Sequence, residues 1–253
     1  MKRVTANGGR VEPKPFLTAE WRDLVLLNYE VPESLLAPLV PAGTELDRFE
    51  GRLLASVVGF RFLDTAIRGW PVPFHRAFEE VNLRFYVRRP SGTEDVRRAV
   101  VFIRELVPRR AVAWIARAVY NEPYQCVSMT HEIIRPVGQP HPSMVEYRWT
   151  LGQSDYRLGG QLTAAPTDLS RPSEAEFITE HYWGYTRQRD GGTLEYRVTH
   201  PSWTVAPLGA PRFAGAVAPL FGAPWAEVLR EAPSSAFYAA GSGVEVFAGT
   251  RIR

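Results

Sequence analysis

The stretch His75 to Arg89, HRAFEEVNLRFYVRR, constrains the fold more than any other part of the chain. From Val81 the residues alternate: Val81, Leu83, Phe85 and Val87 fall on one side, and Glu80, Asn82, Arg84, Tyr86 and Arg88 on the other. A period of two is the mark of a strand with one apolar face. The polar face has two readings. It is either a solvated surface, as on many antiparallel sheets, or the inner wall of a barrel, where an acid beside an arginine would be site chemistry.

The rest of the chain is also rich in strands. Leu24 to Tyr29 is a short apolar strand, and Arg52 to Asp64 a long one that Gly59 allows to bend. Arg98 to Val107 pairs back on the opening strand. Tyr124 to Ile134, Ser143 to Leu151, His181 to Gln188, Thr193 to Thr199, Ser235 to Ala239 and Val244 to Phe247 complete the set. Asp190-Gly191-Gly192 is a hairpin turn. Short helices are expected after Pro32, from Pro108 (with Val112, Ile115, Ala116 and Val119 as its apolar stripe), after Ser173 and at Trp225 to Glu231. Ser173 with Glu176 three residues on forms a capping box. Residues 205 to 235, with several prolines, glycines and alanines, carry little other pattern. Strands without regular helix alternation predict a mainly β α+β protein built on an antiparallel sheet or barrel. One domain over residues 16–253, after a loose lead-in at 1–15, accounts for the 253 residues.

Composition removes several functions. The net charge of +3 is too small to imply nucleic acid. The single Cys126 forms no internal disulfide. No apolar run reaches a membrane span and the N-terminus has no signal-like stretch, so a soluble cytoplasmic protein is expected. Lysine occurs only at Lys2 and Lys14, leaving 28 of the 30 basic residues as arginine. Arginine binds carboxylates through a permanent planar cation, whereas imine formation needs a lysine that can lose its proton.

Familiar catalytic strings are missing. There is no GxSxG, GxxxxGK[ST] or GxGxxG, and His131-Glu132 is half of an HExxH string with Arg135 in the place of its second histidine. The five histidines show no metal-ligand spacing, so neither metal nor cofactor is expected. What remains is Glu79-Glu80 with Arg84, a pair that reads as a structural ion pair or as a site. Arg61 stands inside an apolar strand and needs a carboxylate partner from the protein or a ligand; Asp64, three residues on, faces the opposite way. His200-Pro201-Ser202-Trp203 follows a strand, either packing its end or placing an imidazole and an indole at a barrel mouth. Arg117 has a simpler role near a helix C-terminus.

Several segments together resemble the DUF2071, or YqjF-like, family of uncharacterised bacterial proteins, of the acetoacetate decarboxylase-like fold. They are 28 to 60, EEVNLRFYV at 79 to 87, 100 to 124, FITEHYWGY at 177 to 185 and THPSW at 199 to 203. Glu80-x-Asn82-x-Arg84-x-Tyr86-Val87 is the most specific. The resemblance implies an antiparallel β-barrel or cone with short peripheral helices and an internal pocket, with Glu80 on its wall. It also puts Tyr124 where the decarboxylases carry their Schiff-base lysine, and a phenol cannot form that imine.

Three functions follow as expectations. The first is a pocket for a small carboxylate or carbonyl compound, with Arg61, Glu80, Asn82, Arg84, Tyr124 and His200 as candidate ligand-binding residues. The second is a non-catalytic sensor or interaction module in which these residues form a structural polar network. The third is a lyase- or hydratase-type enzyme using Glu80 as acid or base. A homo-oligomer is compatible with all three.

Overall fold

The computed structural model describes residues 13–73, 75–90 and 96–252. Most of the lead-in expected at 1–15 therefore lies outside the described residues, as do the side chains of Ile115, Ala116 and Val119.

In chain order the strands are β1 (Leu17–Glu30), β2 (Glu45–Leu46), β3 (Leu54–Ile67), β4 (Trp70–Pro71), β5 (Phe78–Pro90) and β6 (Val96–Val107). There follow β7 (Tyr124–Cys126), β8 (Ser128–Ile134), β9 (Met144–Leu151), β10 (Ser154–Leu162), β11 (Trp183–Arg187), β12 (Thr193–Thr199), β13 (Val205–Ala214), β14 (Ser235–Val246) and β15 (Thr250–Ile252). The helices are short: α1 (Glu33–Leu36) running into a 3-10 turn, α2 (Arg110–Val119), α3 (Glu174–Thr179), α4 (Val217–Phe221) and α5 (Ala223–Val228). The protein is mainly β, with a few short helices.

Strand pairing runs β12-β11-β6-β5-β3-β1-β14, and β14 returns to β12 through Val198↔Val246 and Thr199↔Glu245. The ring is closed unevenly. β11 meets β6 at only two parallel positions, whereas β1 and β3 pair along almost their whole length. It is therefore closer to a cone than to a uniform barrel. A second antiparallel array, β8-β9-β10-β13, leaves the ring through β13 and folds over the outside of β1, β3 and β5.

This outer layer explains β5. Val81, Leu83, Phe85 and Val87 are fully buried against the core shared with Tyr147, Trp149 and Leu158 of the outer array. The opposite face is not solvated: Glu80, Asn82, Arg84 and Tyr86 are also buried, inside the ring. The half-buried strand expected from alternation is buried on both faces.

Several boundaries differ from expectation. Tyr124 to Ile134 is two strands, because at Val127 the chain leaves the ring, where β7 runs parallel to β6, and enters the outer array as β8. The two C-terminal strands are one, β14, with Gly241 at φ +75° and only 2.0 Å between the position of an added Cβ and the carbonyl of Trp21. β10 and β13 were not expected at all. Gly159 and Gly160 hide β10 from propensity, yet a Cβ at 159 would sit 2.4 Å from the Val145 carbonyl, so close strand packing demands glycine there. Gly59 does similar work. Its missing side chain admits Tyr147 Cδ2 and Leu158 Cδ2, at 2.7 and 2.9 Å from an added Cβ. The Ser173 cap is present, with Oγ accepting from Glu176 N at 3.1 Å.

Candidate functional site

The inside of the ring encloses a cavity of about 190 Å³, walled largely by aromatic and aliphatic side chains from β1, β3, β6, β12 and α2. Its polar groups come from neighbouring strands at matched register. Asn82 of β5 lies opposite Glu105 of β6, and Glu105 lies opposite Tyr124 of β7. Glu122 stands just before β7, where Tyr124 N bonds its carbonyl at 2.9 Å.

Glu80 is held on both oxygens. Tyr124 OH donates to Oε2 at 3.0 Å and Asn82 Nδ2 donates to Oε1 at 3.1 Å. Burial outweighs these bonds, and with the repulsion of Glu122 it pushes the Glu80 carboxyl up to about 7. Glu105 is raised well above the usual carboxylate range by burial and then by Glu122. Glu122 Oε1 accepts from Thr186 Oγ1 at 2.7 Å and Tyr196 OH at 2.8 Å. Asn82 Oδ1, Glu105 Oε2, Glu122 Oε2 and Tyr120 OH are buried without a hydrogen-bond partner among the described residues.

Arg84, two residues along β5 from Asn82, carries the opposite character. Among the described residues its Nη2 makes only a long bond to the Ile178 carbonyl at 3.4 Å and its Nε has no partner, while its guanidinium lies 5.8 Å from the Tyr86 ring. His181, just before β11, lines the same cavity. Burial lowers its imidazole to about 4, so the ring is neutral at pH 7. Asp47 Oδ2 stands 3.4 Å from its Nε2 outside hydrogen-bonding alignment and is itself bonded by Arg98 Nε at 3.0 Å. His200 stacks on Trp203 with ring centroids 4.1 Å apart, and burial lowers its imidazole too.

Five of the six residues singled out from the sequence therefore reach one cavity: Glu80, Asn82, Arg84, Tyr124 and His200. Arg61 does not. Its Nη2 bonds Asp23 Oδ2 at 2.6 Å, and Asp23 Oδ1 receives Arg135 at 2.5 Å and Tyr238 OH at 3.1 Å. The unassigned partner was Asp23, on β1 beside Arg61 and at φ +57°, in the irregular stretch between Arg22 and Val25. Glu79 points away from Glu80 and bonds His131 at 2.7 Å. Three cavity residues were not singled out: Glu105, Glu122 and His181. Glu105 left a signal, a lone acid inside the apolar run VVFIRELV. Lys14 is exposed and does not line the cavity. Among the described residues no cluster of His, Cys, Asp and Glu has metal-holding geometry, and no helix is long and apolar enough to cross a membrane.

Comparison with known proteins agrees with this architecture. Residues 18–242 match DUF2071, described as an uncharacterized conserved protein family. YqjF of Bacillus subtilis, itself uncharacterized, is 27% identical over 185 residues, 72% of each chain. Among solved structures, the acetoacetate decarboxylase of Legionella pneumophila superposes with a TM-score of 0.66 at 12% identity, covering 95% of this chain and 88% of that one. The enduracididine biosynthesis enzyme MppR, in a complex with pyruvate, gives 0.66 at 11% identity, covering 96% and 92%. At these identities the likeness is one of fold.

Proposed function

The chain belongs to the DUF2071 family, and from that premise we propose that its ring binds a small carboxylate- or carbonyl-bearing molecule without forming a lysine imine. The observation that carries this reading is Arg84. A guanidinium that is 9% exposed and has, among the described residues, one long hydrogen bond is costly to bury unless it serves an anion. It faces an aromatic cavity beside a neutral imidazole whose two nitrogens have no partner among the described residues. A ligand carboxylate taken by the fork of Arg84 would satisfy both groups. The pyruvate held by MppR is a carboxylate of this size, which supports the reading by analogy of fold.

Imine chemistry is disfavoured by the residues present. The resemblance puts Tyr124 at the place of the decarboxylase lysine; Tyr124 is bonded to Glu80, and burial raises its phenol well above the usual range. Incubation with acetoacetate and borohydride is expected to leave the mass of the protein unchanged.

The carboxylate site is tested by thermal shift with pyruvate, acetoacetate and butanoate on wild type and Arg84→Ala. Stabilisation of wild type that is lost in Arg84→Ala supports the site, and equal shifts in both overturn it. One observation favours catalysis over passive binding. A carboxyl near 7 can give and take a proton at neutral pH, so Glu80 fits an acid/base role in a lyase or hydratase. Such turnover would show in a bell-shaped pH profile abolished by Glu80→Gln.

A further inference from the structure

The two ends of the cavity are unequal in a way that the carboxylate reading does not use. Around Asn82 and Glu105 the side-chain atoms without a partner among the described residues are the oxygens Asn82 Oδ1, Glu105 Oε2 and Glu122 Oε2 and the Tyr120 hydroxyl, and the donors there are that hydroxyl and the proton that a raised Glu105 carboxyl shares with Glu122. Asn82 is 1% exposed, Glu105 2% and Glu122 6%, so water outside the protein does not satisfy them. The other side-chain donors nearby are already engaged. Asn82 Nδ2 and Tyr124 OH both serve Glu80, while Thr186 and Tyr196 both converge on the same oxygen of Glu122. Two residues away along β5, the unsatisfied atoms are the donor Nε of Arg84 and the two nitrogens of His181.

We propose that the Asn82–Glu105–Glu122 corner binds a primary ammonium group, and that the cavity takes a short amino carboxylate whose other end rests on Arg84. The second half rests on the carboxylate reading above; the first stands on the acceptor corner alone. An ammonium offers three donors and no acceptor, and by replacing the proton between Glu105 and Glu122 it meets three oxygens able to receive it. Asn82 and Arg84 are two residues apart on one face of β5, about 7 Å at ordinary strand rise, which suits a spacer of a few methylenes. The volume of about 190 Å³ is ample for such a molecule.

Charge balance gives the binding a second signature. Burial and then Glu122 raise the Glu105 carboxyl well above the usual carboxylate range, so it holds its proton more tightly than a free carboxyl. When an ammonium arrives it stabilises the carboxylate, so the Glu105 carboxyl breaks its O–H bond and the proton leaves to solvent. No other reactant is needed.

The experiment is calorimetric titration of the whole protein at pH 7 with 4-aminobutanoate, butanoate and butylamine, each in phosphate and in Tris. The expected result is that 4-aminobutanoate binds at least tenfold tighter than butanoate, with an apparent heat that differs between the buffers because a proton is released. Glu122→Gln, isosteric and still able to accept from Thr186 and Tyr196, is expected to remove that tenfold advantage while butanoate affinity stays within about twofold. Butanoate binding as tightly as 4-aminobutanoate overturns the ammonium corner and leaves the carboxylate reading intact. Butylamine binding alone supports the corner and overturns the Arg84 end. Binding of none of the three overturns both. Should Glu122→Gln fail to fold, the wild-type ligand ranking and the buffer dependence decide the question by themselves.

Discussion

At the scale of the residue, the cavity is governed by carboxyl groups that cannot all ionise together. Glu80 and Glu105 bind protons more tightly in the folded protein than in the unfolded chain, so the native state holds more protons as pH rises through the range between the two. Their contribution to stability is therefore greatest at low pH and is lost upward. For Glu80, with about 7 against an ordinary 4.5, the loss runs across that interval and amounts to about 3 kcal/mol. His181 acts with the opposite sign. Lowered from 6.5 to about 4, it costs stability as pH falls through that window and contributes nothing further above it. Glu105→Gln is thus expected to raise the urea midpoint at pH 8 relative to wild type and to change it less at pH 5.5. A lower midpoint for the variant at pH 8 would refute this account of Glu105. Tyr124→Phe removes the 3.0 Å bond that favours the Glu80 carboxylate, so the titration of Glu80, followed by infrared difference spectroscopy of its carboxyl band, should move upward. Glu80, Asn82 and Arg84 were legible in the sequence because polar groups on every second position of a strand are conspicuous. His181 was not, because an isolated histidine after a short helix gives no periodicity to read, and its environment is made by Tyr86 and Phe177, distant in sequence or on another element.

Individual elements show where local propensity informs and where it misleads. The alternation of β5 and the turn at 190–192 are local, and both exist as expected, with Gln188 N bonding the Gly192 carbonyl at 2.8 Å. The break of the 124–134 run into β7 and β8, and the strand character of β10, depend on what lies across the sheet, and no local pattern encodes that. Glycine is the clearest case. Gly59→Ala would force a methyl against Tyr147 and Leu158, movable side chains, and should cost about 1–3 kcal/mol by urea unfolding. Gly241→Ala meets the backbone carbonyl of Trp21 at 2.0 Å and must also hold φ +75°, so its loss should exceed that of Gly59→Ala. The reverse order would mean that β14 can shift where β3 cannot.

For the whole molecule, the ring and the outer array are joined at Asp23. This residue of β1 receives Arg61 from β3, Arg135 from just after β8 and Tyr238 from β14, while Tyr147 of β9 donates to its carbonyl at 2.8 Å. Removing its carboxylate leaves two arginines around a site where Asp23 is 1% exposed. Asp23→Ala should cost about 3–5 kcal/mol, and hydrogen exchange should show β8 and β9 opening before the ring does. Burial of β5 on both faces has a further consequence, for how the protein tolerates change. The outward-facing residues Val81, Leu83, Phe85 and Val87 support the join between layers, and the alternate residues Glu80, Asn82 and Arg84 support the cavity. A saturation library across 80–87, scored separately for abundance and for ligand retention, should therefore give two interleaved profiles offset by one residue. A one-residue insertion within β5 would exchange the two sets and fail in both assays.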